Sequence, residues 1–358
     1  MKNNIMDDLI GLIRKYPRQS LTCLPTPLYR LDCLSRELAG PDIFIKRDDL
    51  TGLALGGNKA RKLEFIIADA LQKGADTVIT WGSLQSNWCL QLAAACRKFN
   101  LKPVLVLFQT YELPFSYEGN VLIEHLLGAE IIVRKTAEKG KSLNQEQAFM
   151  TLREVAEAER KKGRKPYLVS VGGSALGGHM EKPLGALAYF LAMLEIYEQT
   201  RAREEVPDWV IIASGSGGTQ AGLLVGAKAL GLKTRIAGIC VSDKKEVFLP
   251  VVLNIARELV EMLELPFEVK EDEIFLFDDY LGAGYGRITP EVTEGIKYML
   301  KTEGLVLDPV YTSKALIGML DLVKKNYFGH QARILFIHTG GIPALFAFRE
   351  QLLSQNSD

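Results

Sequence analysis

Residues 209–230 read WVIIASGSGGTQAGLLVGAKAL, and this stretch decides the fold class. Its first five residues are apolar on both faces, which is typical of a parallel strand covered by helices. A turn rich in glycine and hydroxyl residues follows, and residues 220–230 then carry a helical pattern. The stretch therefore predicts a buried strand that leads through a tight turn into a helix.

The same unit recurs along the chain. Further apolar runs lie at residues 77–81, 103–108, 130–133, 235–241 and 333–338. Helical periodicity fills the spaces between them, for example over residues 62–73. Alternating strands and helices predict open, mostly parallel α/β sheets. Because the strands fall into two clusters, around 75–135 and 205–340, with the charged stretch 135–165 between them, we expect two α/β domains with a cleft between.

Composition and charge exclude several classes of function. The chain has 358 residues, 47% of them apolar, which is ordinary for a soluble globular protein. Lys plus Arg and Asp plus Glu both number 43, so the formal net charge is zero and no basic stripe predicts a nucleic-acid partner. The first residues do not resemble a secretory signal, and no apolar stretch approaches the ~18 residues of a membrane span. We expect no membrane association.

The cysteines and histidines predict neither disulfides nor a metal site. The five cysteines are odd in number and their spacings match no zinc motif, so free thiols in the reducing cytoplasm fit best. Cys89 and Cys96 lie seven residues apart on a predicted helix, which places both on one face and predicts core positions. The four histidines have no acidic cluster near them.

Residues 56–62, GGNKARK, form the first candidate site. Two glycines allow a tight turn, and Asn58 could cap the helix that follows. Lys59 and Lys62 share one face of its first turn. Cations are disfavoured at the positive end of a helix, but an anion bound there reverses the argument. One lysine could bond a carbonyl carbon while the other meets a phosphate; a solvated helix start is the alternative.

Two strand-to-helix turns are further candidates. In residues 82–87, GSLQSN, Ser86 or Asn87 could cap a helix, and the free N–H groups could bind a carboxylate. Residues 214–219, SGSGGT, predict a phosphate cradle, although a glycine turn packed on the sheet is the alternative. A dinucleotide fingerprint would need glycine at 220, where the chain has Gln220. Asp243 could still bind a ribose, so a nicotinamide-dependent oxidoreductase is an alternative function.

Two more segments carry candidate groups. Residues 308–314, DPVYTSK, contain Tyr311, and residues 282–286, GAGYG, contain Tyr285. Phenols can move protons or bind a carboxylate, although most tyrosines only pack. Residues 338–341, HTGG, follow a strand and end in paired glycines, as cofactor-facing loops often do.

In this order, these segments resemble the family of 1-aminocyclopropane-1-carboxylate (ACC) deaminase and D-cysteine desulfhydrase. The resemblance runs from about Pro25 to about Phe346, and its most distinctive segments are GGNKARKLEF, QSN, SGSGGTQAG, EGLVLDPVYT and HTGG. It implies a tryptophan synthase β-like fold (fold type II), pyridoxal 5'-phosphate as cofactor, a small amino acid as substrate, and a homodimer. We expect a larger cofactor-binding domain at residues 1–54 plus 171–358 and a smaller one at residues 55–170.

The resemblance also implies a role for each candidate residue. Lys59 matches the lysine that bonds the cofactor and later moves the substrate Cα proton. Ser86 matches a residue that touches the substrate, and Tyr285 and Tyr311 match two substrate-side phenols. The matches to cofactor contacts are Lys62, Ser216, Gly217, Gly218 and Thr219 for the phosphate, Asn87 for the ring hydroxyl, and Thr312 for the pyridine nitrogen.

Thr312 is the position that favours one substrate over another. The deaminases have a glutamate there, which keeps the pyridine nitrogen protonated and the ring strongly electron-withdrawing. A threonine hydroxyl makes a weaker electron sink, which suits loss of a β-thiol better than opening of a cyclopropane ring. The sequence therefore favours D-cysteine, converted to pyruvate, sulfide and ammonia, over the ACC substrate.

The chain departs from the desulfhydrases at two places. Trp88 and Leu90 stand where those enzymes tend to have histidine and arginine, and the segment 173–185, which contains His179, is longer than usual. Trp88 could reshape the pocket for another β-substituted amino acid, or it could pack between helix and sheet. A β-lyase for another substrate and a catalytically silent cofactor binder therefore stay open.

Overall fold

The computed structural model of the chain describes residues 2–136, 139–141 and 143–354. Its strands are β1 Leu28–Arg30, β2 Asp42–Lys46, β3 Thr77–Ser83, β4 Lys102–Gln109, β5 Glu130–Lys135, β6 Pro166–Leu168, β7 Trp209–Ser214, β8 Arg235–Cys240, β9 Phe275–Phe277 and β10 Arg333–Ile337. Its helices are α1 Lys2–Ile13, α2 Asp32–Leu38, α3 Lys59–Gln72, α4 Asn87–Lys98, α5 Gly119–Leu126, α6 Gln145–Lys161, α7 Leu184–Arg201, α8 Gly218–Ala229, α9 Lys245–Met262, α10 Pro290–Glu303, α11 Thr312–Lys324, α12 Ile342–Ala347 and α13 Arg349–Ser354.

The strands form two sheets, as the alternation of strands and helices predicts. The larger sheet has the order β1-β2-β10-β7-β8-β9, and the smaller sheet has the order β5-β4-β3-β6. Every pair is parallel except β1 with β2. The predicted fold class, open and mostly parallel α/β sheets, is confirmed. The strands of the smaller sheet all lie between residues 77 and 168, which supports, as a proposal, domain boundaries near residues 54 and 170.

All six predicted strands are present, and four strands escaped prediction. Three of these, β1, β6 and β9, have only three residues each. A run this short shows no periodicity, and its extended conformation comes from pairing with a neighbouring strand. The fourth, β2, has five residues with a buried pattern after an exposed first residue, and it lies between β1 and β10.

Helices α7 and α8 pack against each other in the core. Residues 185–197, an apolar stretch, lie in α7, and Glu195 within it is paired with Lys46 and Arg61. Gly222 of α8 faces α7 so closely that an added Cβ would lie 2.2 Å from the carbonyl oxygen of Ala186. This contact fixes the position of α8, whose N-terminus faces the cleft between the sheets.

The predicted core cysteines are buried, and Cys23 and Cys33 are exposed. Over residues 2–136, 139–141 and 143–354 no group of His, Cys, Asp and Glu side chains could hold a metal ion. Within those same residues, no helix combines the length and apolar character that crossing a membrane requires.

Candidate active site

A cavity of about 430 Å³ lies between the two sheets, at the carboxyl ends of β3, β4 and β7. Side chains from both sheets line it, as expected for open parallel sheets, where ligands bind at the carboxyl ends of strands. A larger groove of about 790 Å³ elsewhere on the molecule contains none of the predicted site residues. The cavity between the sheets gathers most of them: Lys59, Ser86, Asn87, Ser216, Gly217, Thr219, Tyr285 and Tyr311.

Lys59 is the first residue of α3 and lines this cavity. Its Nζ donates a hydrogen bond to Asn58 Oδ1 at 2.9 Å and lies 5.9 Å from the ring centre of Tyr311. Burial lowers the pKa of this amine from 10.5 to about 8, and the carboxylate of Asp308 opposes the shift. The unprotonated fraction of the amine is therefore raised at neutral pH, and this form can attack a carbonyl carbon.

Asn58 has a different role from the predicted helix cap. It occupies the N-cap position of α3, but its side chain makes no capping bond. Its Oδ1 accepts from Lys59, and its Nδ2 donates to the hydroxyl of Thr219 at 3.3 Å. Asn58 therefore connects the amine of Lys59 to the first turn of α8.

Lys62 is fully buried and lies behind the cavity wall, so it is not among the residues that line the cavity. Its Nζ donates to the carbonyl of Gly172 at 3.3 Å and to Ser174 Oγ at 3.2 Å. Ser174 Oγ is in turn 2.9 Å from Ser216 Oγ, which belongs to the predicted phosphate cradle. Burial and the nearby Lys59 lower the pKa of Lys62. The structure thus links Lys62 to the cradle through Ser174, and a direct phosphate contact stays a prediction.

The turn from β7 to α8 has the form of an anion site. Gly217 adopts φ +81°, and Gly218 begins the helix. A Cβ added to Gly218 would lie 2.6 Å from Ser174 Oγ, so only glycine fits without a shift of that side chain. The first N–H groups of a helix have no partner within it, and they point at the ligand side of the turn. Ser216 and Thr219 add hydroxyl donors.

The turn from β3 to α4 confirms the predicted cap. Ser86 is the N-cap residue, and its Oγ accepts from the backbone N–H of Cys89 at 3.2 Å. The next residue, Asn87, lines the cavity, and its Oδ1 accepts from Asn120 Nδ2 at 2.8 Å. The structure therefore leaves the Nδ2 group of Asn87 as the donor available to a ligand.

Tyr285 and Tyr311 form a hydrogen-bonded pair of phenols, with 2.6 Å between their oxygens. Ser83 Oγ lies 3.1 Å from the Tyr285 hydroxyl and extends the chain of hydroxyl groups. Burial raises the pKa of both phenols above the ordinary value. Both are consequently protonated at neutral pH and can donate to a carboxylate or a leaving group.

Thr312 is fully buried and does not line the cavity. Its hydroxyl donates to Asp308 Oδ1 at 2.7 Å and accepts from the N–H of Asp308 at the same distance. The carboxylate of Asp308 also accepts from the N–H groups of Val310, Tyr311 and Thr312. A contact of Thr312 with the pyridine nitrogen stays a prediction, and the neighbouring carboxylate is already saturated by its own turn.

The three positions that depart from the desulfhydrase pattern are all packed. Trp88 is buried with its Nε1 donating to Thr80 Oγ1 at 2.8 Å, while part of its ring lines the cavity. Leu90 is buried away from the cavity lining. His179 lies outside the cavity lining too, with its Nδ1 accepting from the N–H of Leu168 at 2.9 Å. Trp88 thus combines both of the roles considered for it, packing and pocket wall.

Three roles in this region were not predicted from the sequence: Asn58 as a link between Lys59 and the cradle, Asn120 as the partner of Asn87, and Asp308 as the carboxylate that favours the charged form of Lys59. Asn120 gave no signal because it lies 33 residues from Asn87. Asp308 lies in the segment 308–314, but its bonds to Val310, Tyr311 and Thr312 depend on the turn geometry.

The residues present fit pyridoxal phosphate. An amine with a lowered pKa suits the aldehyde, the N-terminus of α8 suits the phosphate, and the amide N–H group of Asn87 suits the ring oxygen. Among the described residues, Asp243 is the single carboxylate in the cavity wall, and it accepts from the Ser242 hydroxyl at 2.6 Å. The wall is therefore mostly neutral or cationic, as a dianionic phosphate requires.

Comparisons with known proteins agree with this geometry. Residues 20–340 match the family model described as pyridoxal-phosphate dependent enzyme. A protein of Pyrococcus abyssi named "Putative 1-aminocyclopropane-1-carboxylate deaminase" is 40% identical over 96% of this chain and 97% of its own length. A protein of the same name from Pyrococcus horikoshii is 40% identical over 97% of this chain and 98% of its own length. The solved structure "Crystal Structure Analysis of the ACC deaminase homologue" superposes with a TM-score of 0.85 at 38% identity, covering 97% of this chain and 99% of the other.

Proposed function

Because the chain belongs to the family of pyridoxal-phosphate dependent enzymes, we propose that it eliminates the β-substituent of a small amino acid, with D-cysteine as the favoured substrate. The products are pyruvate, sulfide and ammonia, with one water consumed. The observation that carries the proposal is the position of the Lys59 amine, with its pKa of about 8, beside the phenols of Tyr311 and Tyr285.

Lys59 and the phenol pair account for the two proton transfers of the reaction, removal of the Cα proton and protonation of the leaving sulfur. Bound at Lys59, pyridoxal phosphate supplies an electron sink for negative charge at the substrate Cα. Lys59 Nζ takes the Cα proton, and the low pKa of this amine favours that step near neutral pH. The leaving sulfur needs a proton, and the Tyr285–Tyr311 pair holds one at a shared hydrogen bond.

The buried residues around Thr312 support a weak electron sink. A glutamate at this position would add a carboxylate to the turn, whereas Thr312 adds a hydroxyl that is already bonded to Asp308. The Asp308 carboxylate accepts three backbone N–H groups besides, which leaves it no free lone pair for a ring nitrogen. Elimination of a thiol after Cα deprotonation tolerates this weaker sink better than opening of a strained ring does.

The test is release of sulfide and pyruvate by purified, cofactor-loaded protein. D-cysteine, L-cysteine and ACC are compared at equal concentration, and ACC turnover is followed as ammonia and a 2-oxo acid. We expect turnover of D-cysteine to be the fastest. A visibly yellow protein that releases nothing from D-cysteine would reject the substrate assignment.

The role of Lys59 is tested separately by borohydride reduction and peptide mass analysis. In the Lys59→Ala variant we expect no reducible covalent cofactor and no turnover. Lys301→Ala, which removes an exposed lysine of α10, is the matched control and should retain both. Covalent cofactor in the Lys59→Ala protein would show that another amine carries it.

A second candidate, deamination of ACC, is favoured by the names of the two Pyrococcus relatives. The variants Thr312→Glu and Thr312→Gln have side chains of equal size and differ in charge. If the charge at this position decides the reaction, only Thr312→Glu gains ACC turnover relative to D-cysteine turnover. Faster turnover of ACC than of D-cysteine by the natural protein would favour the second candidate outright.

A further inference from the structure

The start of α5 is bonded tightly to the turn that carries Asn87. The backbone N–H of Asn120 donates to Gln85 Oε1 at 2.8 Å, and Gln85 Nε2 donates to the carbonyl of Glu118 at 3.0 Å. Asn120 Nδ2 donates to the carbonyl of Gln85 at 2.9 Å. Three hydrogen bonds thus hold residues 118–120 against a turn more than thirty residues earlier in the chain.

Close packing leaves this arrangement little room to shift. Gly119 adopts φ +56°, and an added Cβ would lie 2.5 Å from Gln85 Oε1 and 2.8 Å from the carbonyl oxygen of Pro343. Asn120 itself is fully buried. A buried amide that donates to fixed acceptors is held in one orientation, because breaking its bonds would leave polar atoms unsatisfied.

The same Nδ2 group of Asn120 donates to Asn87 Oδ1 at 2.8 Å. That bond decides which end of the Asn87 amide faces the cavity, since the oxygen is engaged on the protein side. Within the part of the chain that the structure describes, Asn87 Nδ2 has no hydrogen-bond acceptor, and Asn87 lines the cavity. The end presented to a ligand is therefore a donor.

We propose that Asn120 is a positioning residue that holds Asn87 with its Nδ2 group toward the cavity, where it donates to the ring oxygen of bound pyridoxal phosphate. The inference rests on the proposed pairing of Asn87 with that oxygen. Asn120 touches neither cofactor nor substrate and acts only through Asn87. Without it, the amide can turn and present its oxygen, which would repel the negative ring oxygen.

The test uses the visible absorption band of the bound cofactor, titrated with pH in the holoenzyme. A donor to the ring oxygen stabilises its negative charge, so loss of the donor makes the cofactor hold its proton more tightly and raises the titration midpoint. We expect Asn87→Ala to raise the midpoint by about one pH unit, the size of one lost hydrogen bond to a charged group. Asn120→Asp should raise it similarly, and Asn120→Ala by a smaller amount.

The double variant separates positioning from a general structural effect. If Asn120 acts through Asn87, adding Asn120→Ala, which introduces no charge, to Asn87→Ala leaves the midpoint where Asn87→Ala alone put it. Asn254→Asp, the counterpart of Asn120→Asp on the exposed face of α9, is the control and should leave the midpoint unchanged. Near-UV circular dichroism confirms folding, and Asn120→Ala serves in place of Asn120→Asp if the latter does not fold.

The outcomes are distinct from failure of the proposed function. An unchanged midpoint in both Asn120 variants, when Asn87→Ala shifts it, overturns the positioning role, as do shifts that add in the double variant. An unchanged midpoint in Asn87→Ala overturns the pairing of Asn87 with the ring oxygen and the inference with it. Absence of sulfide release from D-cysteine rejects the substrate and leaves this titration interpretable, because the band belongs to the cofactor.

Discussion

The buried position of Lys59 predicts how the reactivity of its amine depends on pH. Burial at the start of α3 lowers the pKa of this amine from 10.5 to about 8. At pH 7 an amine with a pKa of 8 is about 9% unprotonated, and one with a pKa of 10.5 is about 0.03% unprotonated. The environment of Lys59 therefore multiplies the free amine about 300-fold at pH 7.

The assay is competitive acetylation of the cofactor-free chain at a series of pH values. A small lysine derivative in the same tube reports the reactivity of an unburied amine, and peptide mass analysis gives the extent of labelling at Lys59. We expect the labelling rate of Lys59 to rise with pH to a midpoint near 8 and then to level off. A rate that still climbs tenfold per unit above pH 9 would refute the reasoning, because it would mean that the amine is solvated.

The same assay applied to an Asp308 variant tests the charge that opposes the effect of burial on Lys59. Its negative charge favours the ammonium form of Lys59 and opposes the effect of burial. Asp308→Asn should therefore move the midpoint below that of the natural protein. A midpoint that moves upward instead would show that loss of the turn around residues 308–312 admits water to Lys59, and circular dichroism of that variant distinguishes the two cases.

Three further predictions follow from other contacts. Gly222→Ala places a Cβ 2.2 Å from a carbonyl oxygen of α7 and should lower the free energy of unfolding, measured by urea titration, by about 1–3 kcal/mol. Gly11→Ala in α1, where the added Cβ meets nothing within 4 Å, should raise the free energy of unfolding slightly. Tyr311→Phe removes one phenol of the hydrogen-bonded pair and should lower kcat for D-cysteine about 100-fold. The kcat for β-chloro-D-alanine should be unchanged, because chloride leaves without a proton. Equal losses of kcat for both substrates would contradict proton delivery by the phenol pair. Lys314 donates to two carbonyls of the loop that precedes Tyr285. Lys314→Met should therefore lower kcat, while the cofactor content, measured by absorbance, stays that of the natural protein. Loss of the cofactor instead would contradict this local role.

Much of the fold was readable in the sequence because its elements are long and buried. Residues 209–213 are apolar on both faces, and this local pattern alone is typical of a parallel strand that helices cover on both sides. The turn at residues 214–219 combines glycines and hydroxyls next to each other, so its anion-binding form is a local property too. Strands as short as β6 and β9 lack any local signal and exist because a neighbouring strand satisfies their backbone groups.

In the candidate site, too, local segments could be predicted from the sequence and contacts between distant segments could not. The sequence by itself determined the identity of the groups, an amine at Lys59, phenols at Tyr285 and Tyr311, and a glycine turn before α8, because each lies in a distinctive local segment. Only the tertiary structure decided how they are used. It placed Lys62 behind Ser174, saturated Asp308 within its own turn, and oriented Asn87 through Asn120. These outcomes depend on hydrogen bonds between segments far apart in the chain, whose geometry is set by packing of the two sheets and their helices and leaves no mark in the spacing of residues.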